Sequence, residues 1–279
     1  MGQEGQDEMT RPMDRVVLDG GRAWWDDVSQ HESDPFAMDG YGQLAAAGGE
    51  ALLRTITEDV KRKLELNRQT TLLEVGCGAG AFTKGLASDT ARTVGADFSL
   101  GMVRRARQLH IPRAEFTVAE ASCLPYGSSL FDRVLCYSVF NNFPSHAYAQ
   151  QVVEELIRVT KPGGLVLIGQ VPNAERKKEW HRTYSARFGG PRRSAARWWL
   201  GSIKQMLVQA LRRVASLAGK PPQAALHFLY YRPDFFPAML VGGPHRCDVR
   251  PGYNLLRAAG DAATYDYRLD VVITVGTKS

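Results

Sequence analysis

A glycine-rich turn next to acidic residues is the part of this sequence best suited to chemistry. Gly76, Gly78 and Gly80 directly follow the apolar run LLEV, and a helical pattern begins after them. Glycines at such a strand-to-helix turn permit tight backbone geometry and close approach of a ligand, because they lack a Cβ. The turn is therefore predicted to bind a ligand, although glycines would also serve a turn that binds nothing.

Two carboxylates indicate which ligand the turn would take. Asp97 ends the next apolar run about 20 residues after Gly76, a spacing at which an acidic side chain accepts hydrogen bonds from ribose hydroxyls. A nicotinamide dinucleotide also fits this spacing, with Ala81 in place of a last glycine, and helix capping is the structural alternative for Asp97. Glu74 would repel a pyrophosphate but attract the ammonium and sulfonium of S-adenosylmethionine. The charges therefore favour S-adenosylmethionine.

The surrounding elements must place these residues at one edge of a sheet. Short apolar runs alternate with helical patterns: the runs are TLLEV, TVGAD, AEFTVAE, RVLCYSV and LVLIGQV, and the helices are predicted over 81–88, 100–109 and 147–160. This alternation predicts a doubly wound α/β fold, with a mostly parallel, seven-stranded sheet and helices on both faces. NLLRAAG, TYDYRLD and VVITVGT predict a further helix and two closing strands.

The remaining segments decorate this core. The predicted divisions are a flexible tail over 1–20, a helical cap over 21–69, the cofactor-binding core over 70–171, a basic helical insertion over 172–245 and the end of the core sheet over 246–279. The cap is predicted to hold a short helix, a turn at 34–35 and a longer helix. The N-terminal helices and the insertion are expected to form a lid.

Several blocks resemble the class I S-adenosylmethionine-dependent methyltransferase family, in the family's order, over roughly 70–171. They are LLEVGCGAG, GADFSLGMVRRAR, AEASCLPYGSSLFDRVLCYSVFNNFP and EELIRVTKPGGLVLIGQ. The resemblance implies contacts of Glu74 with the methionine ammonium, Gly76 and Gly78 with the cofactor backbone, Asp97 with ribose, Phe98 with adenine, Glu120 and Ala121 with the adenine edge, and Ser138 with the methionine portion. Glu120 departs from the family, which commonly has Asp there.

The acceptor side carries fewer signals. Methyl transfer from a sulfonium requires alignment of the acceptor, and a base only where the acceptor must lose a proton. The segment NNFPSH after the fourth strand is expected beside the transferred methyl, with His146 as candidate base and Asn142 as a substrate contact. His146 would alternatively cap the next helix. Residues that could line the pocket, or simply pack, are His31, Tyr41, Tyr230, Tyr231 and His245.

The type of acceptor follows from what the segment NNFP lacks. It has no Pro-Pro step, whereas nucleic-acid and glutamine N-methyltransferases carry an Asn/Asp-Pro-Pro-aromatic clamp. We therefore predict an O-methyltransferase that acts on a small molecule such as a sugar, lipid or specialised metabolite. The alternatives are methylation of a small amine, methylation of an anionic macromolecule such as RNA, and a non-catalytic S-adenosylmethionine-binding module.

A divalent metal is a second cofactor that the sequence allows. Acidic residues and histidines stand before the core and in later loops: Asp26, Asp27, His31, Glu32, Asp34, His146, His245 and Asp248. Mg²⁺ on such ligands would orient a hydroxyl acceptor and lower its pKa. The sequence leaves open whether these residues converge.

Charge and composition bound the partners and the compartment. The net charge of +6 comes from 175–220, which holds twelve Lys or Arg and two Glu. Residues 196–220 predict an amphipathic helix, either a lid with a solvated basic face or a contact with an anionic membrane, a phosphorylated substrate or RNA; nucleic acid is disfavoured, since no RNA-recognition module is visible. With no signal peptide, CxxC pair or apolar run of roughly 18 residues, we expect a cytoplasmic, at most membrane-peripheral, protein.

Overall fold

The computed structural model describes residues 12–32, 34, 38, 49–188, 228–252 and 267–277. Its strands are β1 (Thr71–Val75), β2 (Arg92–Asp97), β3 (Ala114–Val118), β4 (Phe131–Tyr137), β5 (Thr160–Pro172), β6 (Arg246–Pro251) and β7 (Arg268–Thr274). Its α-helices are α1 (Pro12–His31), α2 (Gly49–Lys63), α3 (Ala81–Leu86), α4 (Leu100–Gln108), α5 (His146–Val159), α6 (Lys177–Phe188) and α7 (Phe235–Met239).

Within these residues the strands form one seven-stranded sheet in the order β3-β2-β1-β4-β5-β7-β6. Strands β1 to β5 pair in parallel, whereas β7 is antiparallel to both β5 and β6. The prediction of a doubly wound, mostly parallel sheet is confirmed. The carboxyl ends of β1, β2, β4 and β5 therefore meet at one edge, where ligands bind in open α/β sheets.

Both faces of the central strands are buried, which explains why they read as continuous apolar runs. Leu72 packs with Ile56 and Val60 of α2 on one face of the sheet. Leu73 packs with Val152 and other apolar residues of α5 on the opposite face. Helices on both faces fix β1 on either side, so the turn that follows it starts from a rigid base.

The last two strands differ from the prediction. We expected two strands in TYDYRLD and VVITVGT, but the single strand β7 takes residues from both runs, and its partner β6 lies at Arg246–Pro251. Strand β6 was missed because its half-exposed, charged sequence RCDVRP lacks the apolar signature of a buried strand. The helix expected in NLLRAAG lies outside the described residues.

The expected tail over 1–20 is wrong from Pro12 onward, where α1 begins. Asp14 and Leu18 within it are buried. Gly20 and Gly21 lower the intrinsic helix propensity of this segment, so the helix depends on tertiary contacts that a sequence pattern does not report. Helix α2, Gly49–Lys63, confirms the longer cap helix predicted within 40–66, of which 40–48 lie outside the described residues.

The two ends of the basic insertion, 172–188 and 228–245, are described. Helix α6 follows β5, and the segment 228–231 returns to the sheet, where Tyr231 bridges to Asn173. The predicted amphipathic helix over 196–220 lies outside the described residues. In the part of the chain that the structure covers, no helix combines the length and apolar character needed to cross a bilayer.

Candidate functional site

The glycine turn after β1 is held by backbone geometry. Gly76, Gly78 and Gly80 all have positive φ, at 76°, 53° and 87°. The amide nitrogens of Gly76 and Cys77 donate to the carbonyl of Ala96 on β2, at 2.7 and 3.1 Å. A Cβ on Gly76 would lie 2.3 Å from the Val139 Cγ2 atom, so the turn has no room for a side chain there.

Asp97, at the carboxyl end of β2, faces this turn. One carboxylate oxygen accepts from the Gly78 amide and the other from the Ser99 amide, each at 2.9 Å. Burial raises the pKa of Asp97 to about 6, with a further rise from the charge of Asp26, although the Ser99 and Gly78 amides counteract it. Each oxygen keeps a lone pair, so both can accept a second hydrogen bond, for example from a hydroxyl.

Glu74 is the second buried carboxylate of this region. It lies in β1 with 3% of its surface exposed, and it accepts a hydrogen bond from the Thr83 hydroxyl at 2.5 Å. Thr83 belongs to α3, so the contact joins the strand before the glycine turn to the helix after it. The turn is thereby bordered by two acidic side chains, Glu74 and Asp97, which creates a negative site.

Two residues expected at the adenine come together with one that the sequence analysis missed. The Arg22 Nη2 atom of α1 lies 3.4 Å from a Glu120 carboxylate oxygen, and the Arg22 Cζ atom lies 5.7 Å from the Phe98 ring centre. Ala121, the residue after Glu120, packs half-buried against the core. No motif pointed to Arg22, because it belongs to a segment that we expected to be irregular or a short cap helix.

Ser138, at the end of β4, adopts a strained backbone conformation with φ 60°. Its amide donates to the Gly169 carbonyl of β5 at 3.0 Å. Gln170, on the neighbouring strand, has φ 59°, and its backbone N–H donates to an Asp270 carboxylate oxygen at 2.9 Å. Left-handed conformations of non-glycine residues cluster at ligand sites, so the pair indicates that this edge is shaped for a ligand; Gln170 was not predicted.

Contacts between distant segments build the side of this edge that the sequence analysis predicts to face the acceptor, called the acceptor side below. The His146 Nε2 atom lies 3.0 Å from the Tyr230 carbonyl oxygen, and the Tyr231 hydroxyl donates to the Phe140 carbonyl at 3.0 Å. Asn142, half-buried, accepts a hydrogen bond from Asn141 at 2.8 Å. The structure thus brings His146, Asn142, Tyr230 and Tyr231 to the carboxyl edge of β4 and β5.

A further polar group at this edge was not predicted. The Tyr230 hydroxyl lies 3.2 Å from the His181 Nε2 atom, and the Lys177 ammonium lies 4.6 Å from the Tyr230 ring centre. Lys177 and His181 lie one helical turn apart on α6 and therefore share a face. The Lys177 ammonium and the His181 ring are groups that can bind a polar or anionic molecule.

The expected role of His245 in the acceptor pocket is wrong. It precedes β6, which runs parallel to β5 and so begins at the opposite edge of the sheet, and its Nδ1 atom accepts from the Gly276 amide at 3.2 Å. His31 is exposed and bonds to Asp27 of its own helix. Tyr41 lies outside the described residues.

The expectation of a Mg²⁺ site is not supported. Across the described ranges, no three His, Cys, Asp or Glu side chains converge as metal ligands. Asp26 is engaged with Ser99 and Gly101 at the start of α4, whereas Asp248 lies within β6 and His245 precedes that strand at the opposite edge. The topology therefore separates ligands that the sequence alone allowed to converge.

The residues present fit an S-adenosylmethionine molecule. A sulfonium and an ammonium need negative groups, which Glu74 and Asp97 supply, and ribose hydroxyls need acceptors, which Asp97 retains. Adenine needs an apolar face and an acceptor for its amine, for which Phe98 and Glu120 are available. The positive-φ glycines between them let a ligand approach the backbone.

Comparisons with known proteins agree with this geometry. Residues 73–168 match the family model described as a methyltransferase domain. The chain is 34% identical over 117 residues to the biotin biosynthesis bifunctional protein BioHC of Cellvibrio japonicus, covering 41% of this chain and 23% of that protein. It is 32% identical over 148 residues to the demethylmenaquinone methyltransferase of Clavibacter sepedonicus, covering 52% and 56%. The matched part of the chain thus spans between a quarter and about half of the length of these relatives.

A solved structure shows the same fold over most of the chain. It is the Haemonchus contortus phosphoethanolamine N-methyltransferase 1 in complex with phosphoethanolamine and S-adenosylhomocysteine, with a TM-score of 0.61, 13% identity, and coverage of 98% of this chain and 51% of that one. At this identity the likeness concerns the fold alone. Together, the sheet order, the acidic glycine turn and the family match show that the chain carries a class I S-adenosylmethionine-dependent methyltransferase domain.

Proposed function

We propose that this chain binds S-adenosylmethionine at the carboxyl edge of its sheet and transfers the methyl group to a hydroxyl of a small molecule. The observation that carries the proposal is the pair of buried carboxylates, Glu74 and Asp97, beside the positive-φ glycines. Glu74 would hold the methionine ammonium and Asp97 the ribose. A dinucleotide pyrophosphate at the same turn would face both negative charges, which is unfavourable.

Ligand-dependent thermal stability tests the cofactor half of the proposal. S-adenosylmethionine and S-adenosylhomocysteine should each raise the melting temperature, because a ligand at 100 times its Kd adds about 2.7 kcal/mol to the free energy of unfolding. NADH at the same concentration should leave the melting temperature unchanged. Stabilisation by NADH alone would show that Glu74 does not exclude a pyrophosphate from the turn and would refute the cofactor assignment.

The acceptor half of the proposal concerns His146. A carbonyl oxygen only accepts hydrogen bonds, so the His146 Nε2 atom beside the Tyr230 carbonyl carries a proton, and in the neutral ring Nδ1 is the nitrogen that can take one up. Methyl transfer to a hydroxyl forms the new carbon–oxygen bond, leaves the sulfur with the electron pair of the broken bond and releases the hydroxyl proton. We propose that His146 takes that proton.

Two substitutions separate this role from a structural one. His146→Gln keeps an N–H donor for the Tyr230 carbonyl but has no basic nitrogen, whereas His146→Ala loses both. With a hydroxyl acceptor, both variants should lose about 100-fold in kcat, a typical contribution of general acid–base catalysis. If the Gln variant keeps the wild-type kcat and only the Ala variant is impaired, His146 is a packing residue.

Small molecules are the proposed acceptors for two reasons. The relatives that match over the core are named for biotin biosynthesis and demethylmenaquinone methylation, so comparable cores belong to proteins of small-molecule metabolism. Lys177 and His181 at the carboxyl edge suit an acceptor that also carries a negative group. An acceptor screen that measures S-adenosylhomocysteine release should pair hydroxyl compounds with their amine analogues, with and without a carboxylate or phosphate. Turnover only with amines would replace the hydroxyl assignment.

A further inference from the structure

Helix α1 is tied across the edge of the sheet where the cofactor residues lie. Near its start, Asp14 accepts a hydrogen bond at 2.8 Å from Ser145, the residue that caps α5. Near its end, Asp26 accepts from the Ser99 hydroxyl at 2.5 Å and from the Gly101 amide at 2.9 Å, at the start of α4. Because α5 follows β4, α4 follows β2, and β1 lies between these strands, α1 spans the carboxyl end of β1.

Between these two anchors, Arg22 reaches the residues expected around adenine. Its Nη2 atom lies 3.4 Å from the Glu120 carboxylate, its Cζ atom lies 5.7 Å from the Phe98 ring centre, and its Nη1 atom lies 3.7 Å from Asp19. The backbone of α1 also approaches this ring, since a Cβ built on Gly21 would lie 3.8 Å from it. The guanidinium is therefore held at the adenine end of the crevice.

This guanidinium has a buried donor, the Nε–H group. The Arg22 Nε atom is buried and has no hydrogen-bond partner in the described part of the chain. Buried polar groups are nearly always satisfied, and an exception calls for a missing partner such as a ligand. The Nε–H group lies on the same side chain as the contact to Glu120, so a ligand that bonds to Glu120 would be within reach of it.

We infer that Arg22 is a cofactor-binding residue that recognises adenine together with Glu120. Adenine carries an exocyclic amine, which donates, next to the unprotonated ring nitrogen N1, which accepts. Glu120 accepts from the amine, and the Arg22 Nε–H group donates to N1. The second hydrogen bond satisfies the buried donor. This inference rests on the proposed function, because it requires S-adenosylmethionine in the same crevice.

Calorimetric titration with S-adenosylhomocysteine tests the contact directly. Arg22→Ala should weaken binding about tenfold or more, as expected for loss of a hydrogen bond from a charged group. Arg22→Lys keeps a positive charge near Glu120 but lacks the Nε–H group, so its affinity should fall between the two. Arg15→Ala on the same helix, where the arginine is exposed and lies near Asp19, should bind as the wild type does. Thermal unfolding without ligand checks that each variant is folded.

A change of base sharpens the test. S-inosylhomocysteine places an acceptor oxygen where adenine has its amine and a protonated ring nitrogen where adenine has an acceptor, so Arg22 and Glu120 should both disfavour it. The wild type should prefer S-adenosylhomocysteine by at least tenfold, and Arg22→Ala should keep only the part of that preference that Glu120 supplies. Wild-type affinity and preference in Arg22→Ala would overturn the inference.

The failure of this inference and that of the proposed function have different signatures. If Arg22→Ala binds S-adenosylhomocysteine normally while Asp97→Ala does not, the crevice binds the cofactor without Arg22 and only the inference fails. If the wild-type protein does not bind S-adenosylhomocysteine, both fail. Titration with adenosine in place of S-adenosylhomocysteine should reproduce the loss in Arg22→Ala, because adenosine keeps the base without the amino-acid portion.

Discussion

The cofactor side and the acceptor side of the carboxyl edge are built from different kinds of contacts. On the cofactor side, Asp97 bonds to residues 2 and 19 positions away, through backbone amides. On the acceptor side, His146 bonds to a residue 84 positions away, and Tyr231 to one 91 positions away. A local backbone motif therefore fixes the glycine turn and Asp97, whereas the acceptor side depends on how remote segments pack.

The largest effect should come from breaking the backbone motif. Gly76→Ala places a Cβ 2.3 Å from Val139 at a positive φ, so we expect the free energy of unfolding to fall by about 2 kcal/mol and S-adenosylhomocysteine affinity to fall steeply. The matched control is Gly127→Ala, where no atom lies within 4 Å of the new Cβ and stability should change by less than about 0.5 kcal/mol. Equal behaviour of the two variants in chemical denaturation would show that the turn is not constrained.

The pH dependence of cofactor binding should follow Asp97. Its pKa of about 6 in the free protein means that the carboxylate is ionised above that pH and protonated below it. Because the ionised form accepts hydroxyl hydrogen bonds, affinity for S-adenosylhomocysteine should be constant above about pH 6 and fall by about tenfold per pH unit below it. Affinity that stays constant down to pH 4.5 in calorimetry would contradict this assignment.

A substitution on the acceptor side should leave cofactor binding unchanged. Tyr231→Phe removes the hydroxyl that donates to the buried Phe140 carbonyl and leaves it a long contact of 3.4 Å with the Phe143 amide, so the free energy of unfolding should fall by about 1–2 kcal/mol. S-adenosylhomocysteine affinity should remain within about twofold. Tyr230→Phe, whose hydroxyl meets His181 at an exposed position, should change stability by less than about 0.5 kcal/mol. A large loss of cofactor affinity in Tyr231→Phe would mean that the two sides are coupled.

The smallest expected effect links α1 to the cofactor crevice. The charge of Asp26 raises the pKa of Asp97, so Asp26→Asn should lower it and move the decline in S-adenosylhomocysteine affinity to a lower pH. The Asn oxygen can still accept from Ser99 and Gly101, which preserves the start of α4. Asp27→Asn, at an exposed position on the same helix, serves as the control and should leave the pH profile unchanged.

The sequence predicted the fold where the signal was local. Strand β1 matches TLLEV in full, and the five parallel strands β1 to β5 follow from alternating apolar and helical patterns. The end of the sheet was mispredicted, because β6 is a half-exposed edge strand whose partner β7 comes later in the chain. Helix α1 was missed in part because its anchors, Ser145 and Ser99, lie far away in sequence.

The same division holds within the candidate site. Glu74, Gly76 and Asp97 follow from spacing and charge, and the structure brings them together. His245 was placed on the wrong edge because the strand that follows it, β6, was not predicted, since its charged sequence lacks an apolar signature. Arg22 and Gln170 carried no sequence signal, since a buried unpaired donor and a left-handed backbone arise only from tertiary packing.

The most direct test of the central claim is a calorimetric titration of S-adenosylhomocysteine into the wild-type protein and into Asp97→Ala. We predict one binding site in the wild type and at least a 30-fold loss of affinity in the variant, because two charge-assisted hydrogen bonds to ribose disappear. Equal affinity of the two proteins would contradict the assignment of the crevice between β1 and β2 as the S-adenosylmethionine site.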